Sequence, residues 1–358
     1  MTNVNQITTQ FSLVSQDSPT YFIADIAANH DHSLKRALEL IKKAADAGAN
    51  AAKFQNFKAE TIVSNRGFLD LGKKLSHQSK WSKSVFEVYK AAELPIAWTD
   101  QLIEQCQKSG IDYFTAPYDL EFIRTLGSRM PFFKVGSGDI SWKASLELMI
   151  SMDKPIFLAT GASTMSEVTR AVELIQSNSQ PFVLMQCNTN YTGEEENFDY
   201  INLNVLKTYA SAFPQAILGL SDHSKGHVAV LGAVSLGARV IEKHFTDDQS
   251  RLGPDHSFSL NPKEWREMVD ETRILERCLG NGLKIVETNE EEARVIQRRG
   301  LRYSKSLKAG STLQASDLVA LRPLTAESID PWEAETLVGR IIKNDVLEDQ
   351  IVTTYDFR

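Results

Sequence analysis

Residues 216–245 read AILGLSDHSKGHVAVLGAVSLGARVIEKHF. Two short apolar runs, 216–221 and 239–245, flank a stretch with room for one helix, and each run leads into polar residues. Nearly continuous apolar runs of this length suit parallel strands buried on both faces. The same alternation repeats upstream, at 21–28 (YFIADIAA), 50–55 (NAAKFQ), 112–116 (DYFTA), 131–136 (PFFKVG), 155–160 (PIFLAT) and 181–187 (PFVLMQC). Helices fit between these runs. Residues 34–48 set Leu34, Ala37, Leu38, Ile41, Ala44 and Ala45 on one face and end at Gly48. Residues 164–176 open with Thr164 and Glu167 at capping-box spacing. Residues 262–279 have Asn261 as N-cap, Pro262 at N1, Glu264 at N3 and Gly280 beyond the last turn. Eight strand–helix units over about 260 residues match an α/β fold of the (β/α)8 TIM-barrel type, whose usual length is roughly 250 residues.

Two regions fall outside that pattern. The stretch 56–96 is too long for an ordinary strand-to-helix loop and is expected to decorate the catalytic end of the barrel. After Gly280 the texture changes: 283–297 is a charge-rich linker with some helical character, and 298–358 carries short β-like pieces. The expected domains are a barrel at 1–282, the linker at 283–297 and a small β-rich domain at 298–358.

The chain has 358 residues, 42% of them apolar, a net charge of −7 and a pI near 5.6. That balance argues against nucleic acid or an anionic membrane as partner. It leaves room for an anionic small molecule, which needs only a few local cations. Cys106, Cys187 and Cys278 are widely spaced and suggest a reduced, cytoplasmic protein. The polar N-terminus lacks the features of a signal peptide, and no run of about 18 apolar residues predicts a membrane span.

In a TIM barrel the chemistry sits at the C-terminal ends of the strands. There the seventh run leads into Ser221-Asp222-His223, and the eighth contains Lys243-His244. Two imidazoles from neighbouring strand ends can share one divalent cation with open positions left for water and substrate. The alternative is two hydrogen-bonded structural histidines. Lys53 and Gln55 share one face of the second strand, and Lys134 precedes Gly136-Ser137-Gly138-Asp139 on the fourth. Buried lysines call for anions, either a phosphate or carboxylate ligand or neighbouring Asp and Glu side chains. The Gly-Ser-Gly turn adds backbone donors and a hydroxyl that suit phosphate.

Taken together, IADIAANH (23–30), AAKFQNFKAE (51–60), FTAP (114–117), FKVGSGD (133–139), LATGAS (158–163), LGLSDHSKGH (218–227), IEKHFT (241–246) and GPDHSFSL (253–260) resemble the N-acetylneuraminic acid synthase family. That family includes the legionaminic, pseudaminic and spore-coat polysaccharide synthases. The tail, from YSKSLKAGSTLQASDLVALRP to LVGRIIKNDVLEDQIV, resembles its antifreeze-like SAF domain. The resemblance implies condensation of phosphoenolpyruvate with an N-acylated amino sugar. It implies that His223 and His244 hold a Mn2+- or Mg2+-type ion. It gives Lys53, Lys134, Ser137, Thr189 and Ser221 to phosphoenolpyruvate, and Gln55, Tyr191 and Asp255 to the sugar. Asp25 or Asp139 is the implied base. Arg322 would reach the other subunit's site in a domain-swapped homodimer.

The chain also departs from the family pattern. Asp25 and Asp139 stand where the family usually has Glu, Ala116 and Ala159 where hydroxyls assist phosphate binding, and His32 where Gly is usual. The Asn-type contact after the sixth strand falls on Thr189, or shifts to Asn188 or Asn190. Loss of two hydroxyls weakens phosphate binding by about 1 kcal/mol each if nothing replaces them. These departures motivate a competing expectation, a catalytically weakened carbohydrate-binding or regulatory relative; another phosphoenolpyruvate-dependent sugar-acid synthase, using a phosphorylated sugar, is a second alternative against which the SAF-like tail speaks.

Overall fold

The computed structural model describes residues 6–177 and 180–358. It divides into two compact units, with the boundary between Gly280 and Asn281. At the centre of the first lie eight parallel strands: β1 (Tyr21–Asp25), β2 (Ala51–Asn56), β3 (Asp112–Pro117), β4 (Phe133–Val135), β5 (Ile156–Ala159), β6 (Phe182–Cys187), β7 (Ile217–Asp222) and β8 (Val240–His244). Their hydrogen-bonded order is 3-2-1-8-7-6-5-4. The last strand therefore lies against the first, with His244 opposite Asp25, and against β7, with Lys243 opposite Asp222. That pairing curls the sheet into a barrel. Where the order ends, at β3 and β4, aromatic rings pack across the seam: Phe114 lies 4.5 Å from Phe132, which stacks on Phe157 at 3.9 Å.

Each strand feeds a helix on the outside. These are α1 (Leu34–Asp46), α2 (Thr99–Lys108), α3 (Leu120–Leu126), α4 (Lys143–Ile150), α5 (Met165–Gln176), α6 (Val205–Ala212), α7 (Val228–Ser235) and α8 (Pro262–Leu279). Thr164 with Glu167 and Asn261 with Glu264 form reciprocal capping boxes, so both helices start where their cap residues predict. The buried face of α1 is Ala37, Leu40, Ile41 and Ala44, while Leu34, Leu38 and Ala45 are only partly covered. The stripe is thus rotated slightly from the predicted one.

Two strands, β1 and β4, are each three residues shorter than the apolar pattern predicts. β1 stops at Asp25 and not at 28, because Ala27 turns into the left-handed region (φ 44°) and its N–H donates to Asp25 Oδ1. β4 keeps only Phe133–Val135, since Pro131 has no N–H to donate and Gly136 already leads into the Ser137–Asp139 turn. The excursion between β2 and α2 forms short helices at Ala59–Ile62, Asn65–Asp70 and Val85–Ala92.

The second unit pairs β9 (Gly300–Tyr303) with β10 (Leu318–Leu321) antiparallel. It closes its own core around Leu301, Tyr303, Leu313, Ile342, Val346 and Val352. The charged segment before it contains the helix Glu291–Gln297, and Leu324 N–H donates to Val295 O at 3.0 Å. That segment groups with the second unit. Among the described residues no helix is long and apolar enough to cross a membrane.

Candidate active site

A cavity of about 500 Å³ opens at the C-terminal ends of the strands. Strand parity explains its floor. Side chains two apart point the same way, so Lys53 with Gln55, Ser221 with His223, and Glu242 with His244 all face inward. The first-unit residues expected to bind substrate or metal or to act as base line this one cavity: Asp25, Lys53, Gln55, Lys134, Ser137, Asp139, Thr189, Tyr191, Ser221, His223, His244 and Asp255. Arg322 belongs to the second unit, where it is exposed just after β10.

The lysines do meet carboxylates. Lys53 Nζ lies 2.7 Å from both Asp25 Oδ2 and Glu242 Oε1, and Lys134 Nζ lies 3.5 Å from Glu242 Oε1. Gln55 Nε2 donates to Asp25 Oδ2, and Ser221 Oγ donates to Glu242 Oε1. Burial alone would raise the Glu242 carboxyl, but Lys134 and Lys53 hold it below the ordinary glutamate value. Burial keeps Asp25 above the usual aspartate value although Lys53 pulls the other way. Burial lowers Lys134, with Glu242 opposing. The floor is thus a set of opposed charges, Lys53 and Lys134 against Asp25 and Glu242. Glu242 escaped the sequence reading, yet its position two residues before His244 places it on the same strand face.

The imidazoles are buried and neutral. Burial drives both His223 and His244 down to about 3, and each is further depressed by a neighbouring cation or imidazole. Their ring centroids are 5.4 Å apart. His223 Nδ1 donates to Asn188 O at 2.9 Å, which leaves Nε2 with a free lone pair. His244 Nδ1 is buried without a hydrogen-bond partner. Neutral rings with available nitrogens fit a divalent metal ion. Among the described residues no group of three or more His, Cys, Asp or Glu is placed to hold one. An ion held by His223 and His244 would take two donors from the chain, with substrate and water completing its shell.

The remaining residues are held by their loops. Ser137 Oγ accepts the Gly161 N–H at 2.9 Å, tying the turn after β4 to the turn after β5. Asp255 Oδ2 accepts the Ala28 N–H, and the next residue, His256, bridges Asp31 and Thr246. Arg251 also pairs with Asp31, so the 251–256 loop is anchored. Burial pushes Asp255 up to about 7 and Asp139 to about 6. Of the three candidates after β6, Thr189 faces the cavity, while the Asn188 side chain donates to Tyr200 O and Asn190 accepts from Thr192 N–H. His32 occupies a left-handed conformation (φ 53°) and packs on Trp98. That backbone explains why glycine suits the position. Residues the sequence did not point to are Tyr118 and a wall from the excursion, including Phe57, Trp81 and Tyr89. No local pattern marks a loop residue for a cavity formed only by folding.

Behind the two histidines, Lys243 Nζ reaches Asp222 Oδ2 at 2.6 Å and Ser224 O at 2.7 Å, all buried. Asp222 also accepts Ser224 N–H, shaping the turn that carries His223. Removing one partner of a buried pair strands the other charge and costs about 3–5 kcal/mol. Asp222→Ala should therefore lower the unfolding free energy of the first unit, read from denaturant titration, by that much. A loss below about 1 kcal/mol would refute the role.

Fold and cavity define an α/β-barrel enzyme with its chemistry at the strand ends. The chain belongs to the NeuB family, which matches residues 40–284, and residues 298–358 match the SAF domain. It is 32% identical over 340 residues to the N,N'-diacetyllegionaminic acid synthase of Campylobacter jejuni, covering 93% of this chain and 98% of that protein. It is 31% identical over 352 residues to the pseudaminic acid synthase of the same species, covering 98% and 100%. The N-acetylneuraminic acid synthetase of Leptospira borgpetersenii, solved with citrate, superposes with a TM-score of 0.71 at 30% identity, covering 81% of this chain and 95% of that one.

Proposed function

We propose that this chain condenses phosphoenolpyruvate with an N-acylated amino sugar, N-acetylmannosamine or a 2,4-diacetamido-trideoxyhexose, to a nine-carbon 2-keto acid, releasing phosphate. The observation that carries this reading is the cavity floor, where Lys53, Lys134 and Ser137 line the same space as His223 and His244. The names of the relatives point the same way, as synthases of legionaminic, pseudaminic and N-acetylneuraminic acids.

His223 and His244 would hold a divalent ion of the Mn2+ or Mg2+ type, which when bound would supply Lewis acidity at the aldehyde oxygen of the open-chain sugar. The chain's own groups do the rest. Lys53 and Lys134 exchange contacts with Asp25 and Glu242 for the phosphate and carboxylate oxygens of phosphoenolpyruvate. Ser137, Ser221 and Thr189 add hydroxyls, which offset the alanines at 116 and 159. This grip holds C3 of phosphoenolpyruvate against the aldehyde carbon. As the C–C bond forms, positive charge develops at C2 and water adds there. Asp25 or Asp139 takes the water's first proton and returns it to the alkoxide left by the aldehyde oxygen; the second departs with phosphate as the C2–O bond breaks and the 2-keto group forms. Gln55, Tyr191 and Asp255 position the sugar.

Phosphate release from phosphoenolpyruvate, with and without candidate sugars and Mn2+, tests the reaction. Release that ignores the sugar would exclude it. The pH profile separates the bases. A carboxylate must be ionised to accept a proton, so with Asp139 near 6, kcat/KM should fall as pH drops below about 6. Asp139→Asn should remove that limb if Asp139 is the base. A limb that survives assigns it to another cavity carboxyl, Asp25 or Asp255, which Asp25→Asn and Asp255→Asn then separate.

The proposal includes a domain-swapped homodimer in which Arg322 completes the partner's sugar site. A small domain gains by docking, and the guanidinium offers five donors to acyl and hydroxyl oxygens. Mixing inactive His223→Ala protein with inactive Arg322→Ala protein should restore activity at one of the two sites in each mixed dimer. Confirmed subunit exchange with no restored activity would place the arginine's action within its own chain or nowhere.

A further inference from the structure

We infer that the Tyr118 hydroxyl is a further ligand of the phosphoenolpyruvate phosphate, donating a hydrogen bond from the sector of the barrel between Lys53 and Lys134. This deepens the synthase reading and rests on it.

The placement follows from topology. β3 pairs with β2, which carries Lys53, and faces β4, which carries Lys134, across the seam. Small hydroxyls reach the cavity from the turn after β4, from β7 and from the loop after β6, at Ser137, Ser221 and Thr189. β3 ends in Ala116-Pro117, and of that strand and the turn after it Tyr118 alone lines the cavity among the described residues. Its N–H donates to Asn56 O at 2.9 Å, which carries the β2–β3 ladder one residue further. The side chain therefore stands on the same inward face as Ala116, whose partner across the ladder is Gln55.

The ring is held on two sides. Phe57 meets it edge-on at 6.3 Å. On the other side Gly136 lies so close that a β-carbon there would stand 2.7 Å from Tyr118 Oη and 2.9 Å from Cε1. Glycine at 136 is what lets the hydroxyl rest on the turn that joins Lys134 to Ser137. Among the described residues the hydroxyl has no hydrogen-bond partner of its own. A phenol fixed at a cavity wall in this way has a proton to give to an entering anion. Burial, helped by Asp139 and Asp25, raises the phenol well above its ordinary value, so it stays protonated and donates. An oxyanion drawn between the two ammonium groups arrives beside it, and a hydrogen bond to a charged oxygen is stronger than one to a neutral acceptor.

The test uses the full chain with Mn2+ and compares it with Tyr118→Phe, which removes one oxygen and leaves the ring packed between Phe57 and Gly136. Calorimetric titration reads phosphoenolpyruvate affinity, and initial rates over a matrix of both substrates separate kcat from each KM. The variant should bind phosphoenolpyruvate about tenfold more weakly or worse, the scale of a hydrogen bond to a charged group. Its KM for phosphoenolpyruvate should rise in step while the sugar's KM holds. Inorganic phosphate, which has no carboxylate, should lose potency as a competitor of phosphoenolpyruvate by a similar factor. Unchanged phosphoenolpyruvate affinity overturns the inference and leaves the synthase reading standing. A fall in kcat alone, with the acid limb of the pH profile displaced, also overturns it and assigns the hydroxyl to Asp139. Weaker phosphoenolpyruvate binding with undiminished competition by phosphate overturns the phosphate contact in favour of the carboxylate. Wild-type protein that neither binds nor consumes phosphoenolpyruvate overturns both readings.

Discussion

His244→Ala is expected to abolish sugar-dependent phosphate release and to remove divalent-ion binding, while the barrel stays folded. The imidazole ends β8 and is buried. Its ring touches Phe258 at 4.9 Å and lies beside His223, and the backbone it sits on is held between β1 and β7. Truncation removes a ring with one unpartnered nitrogen, so few native hydrogen bonds are lost. The polarisation a bound ion supplies is worth several kcal/mol, and each 1.36 kcal/mol is tenfold in rate, so a loss of about a thousandfold or more follows. His223→Ala should behave alike. Equilibrium dialysis with Mn2+, far-UV circular dichroism and phosphate release together read the outcome. Full activity of either variant in the presence of chelator would sink the metal assignment.

Lys134→Met should raise the KM for phosphoenolpyruvate by about ten- to a hundredfold, as loss of a charge-assisted contact of about 1.5–3 kcal/mol requires. The substitution keeps the length and apolar stem of a side chain buried on β4. Glu242 is not stranded, because Lys53 and Ser221 still contact its Oε1. Destabilisation should therefore be small, and the effect should fall on the anion. Initial rates over a matrix of both substrates separate the two constants. If only the sugar KM moves, the anion pocket has been misplaced.

Much of this was readable in the chain itself. Apolar runs of strand length separated by amphipathic stretches report their own burial, which is why eight strands and the caps at Thr164 and Asn261 follow from local patterns. Strand parity and the rule that barrel chemistry sits at C-terminal strand ends brought Lys53, Lys134, His223 and His244 forward. Local pattern was silent on Glu242, since a lone acid in a strand does not reveal which cations it will meet. It was equally silent on Phe57, Trp81 and Tyr89. What the sequence by itself determined is the family, the barrel and the identity of the residues at its strand ends, because those depend on short-range periodicity and ordered motifs. Only the tertiary structure decided how those ends face one another. It brought Lys53 between Asp25 and Glu242 and set the two imidazoles side by side. It also folded the 57–92 excursion into an apolar wall, because contacts between residues distant in sequence exist only once the barrel has closed.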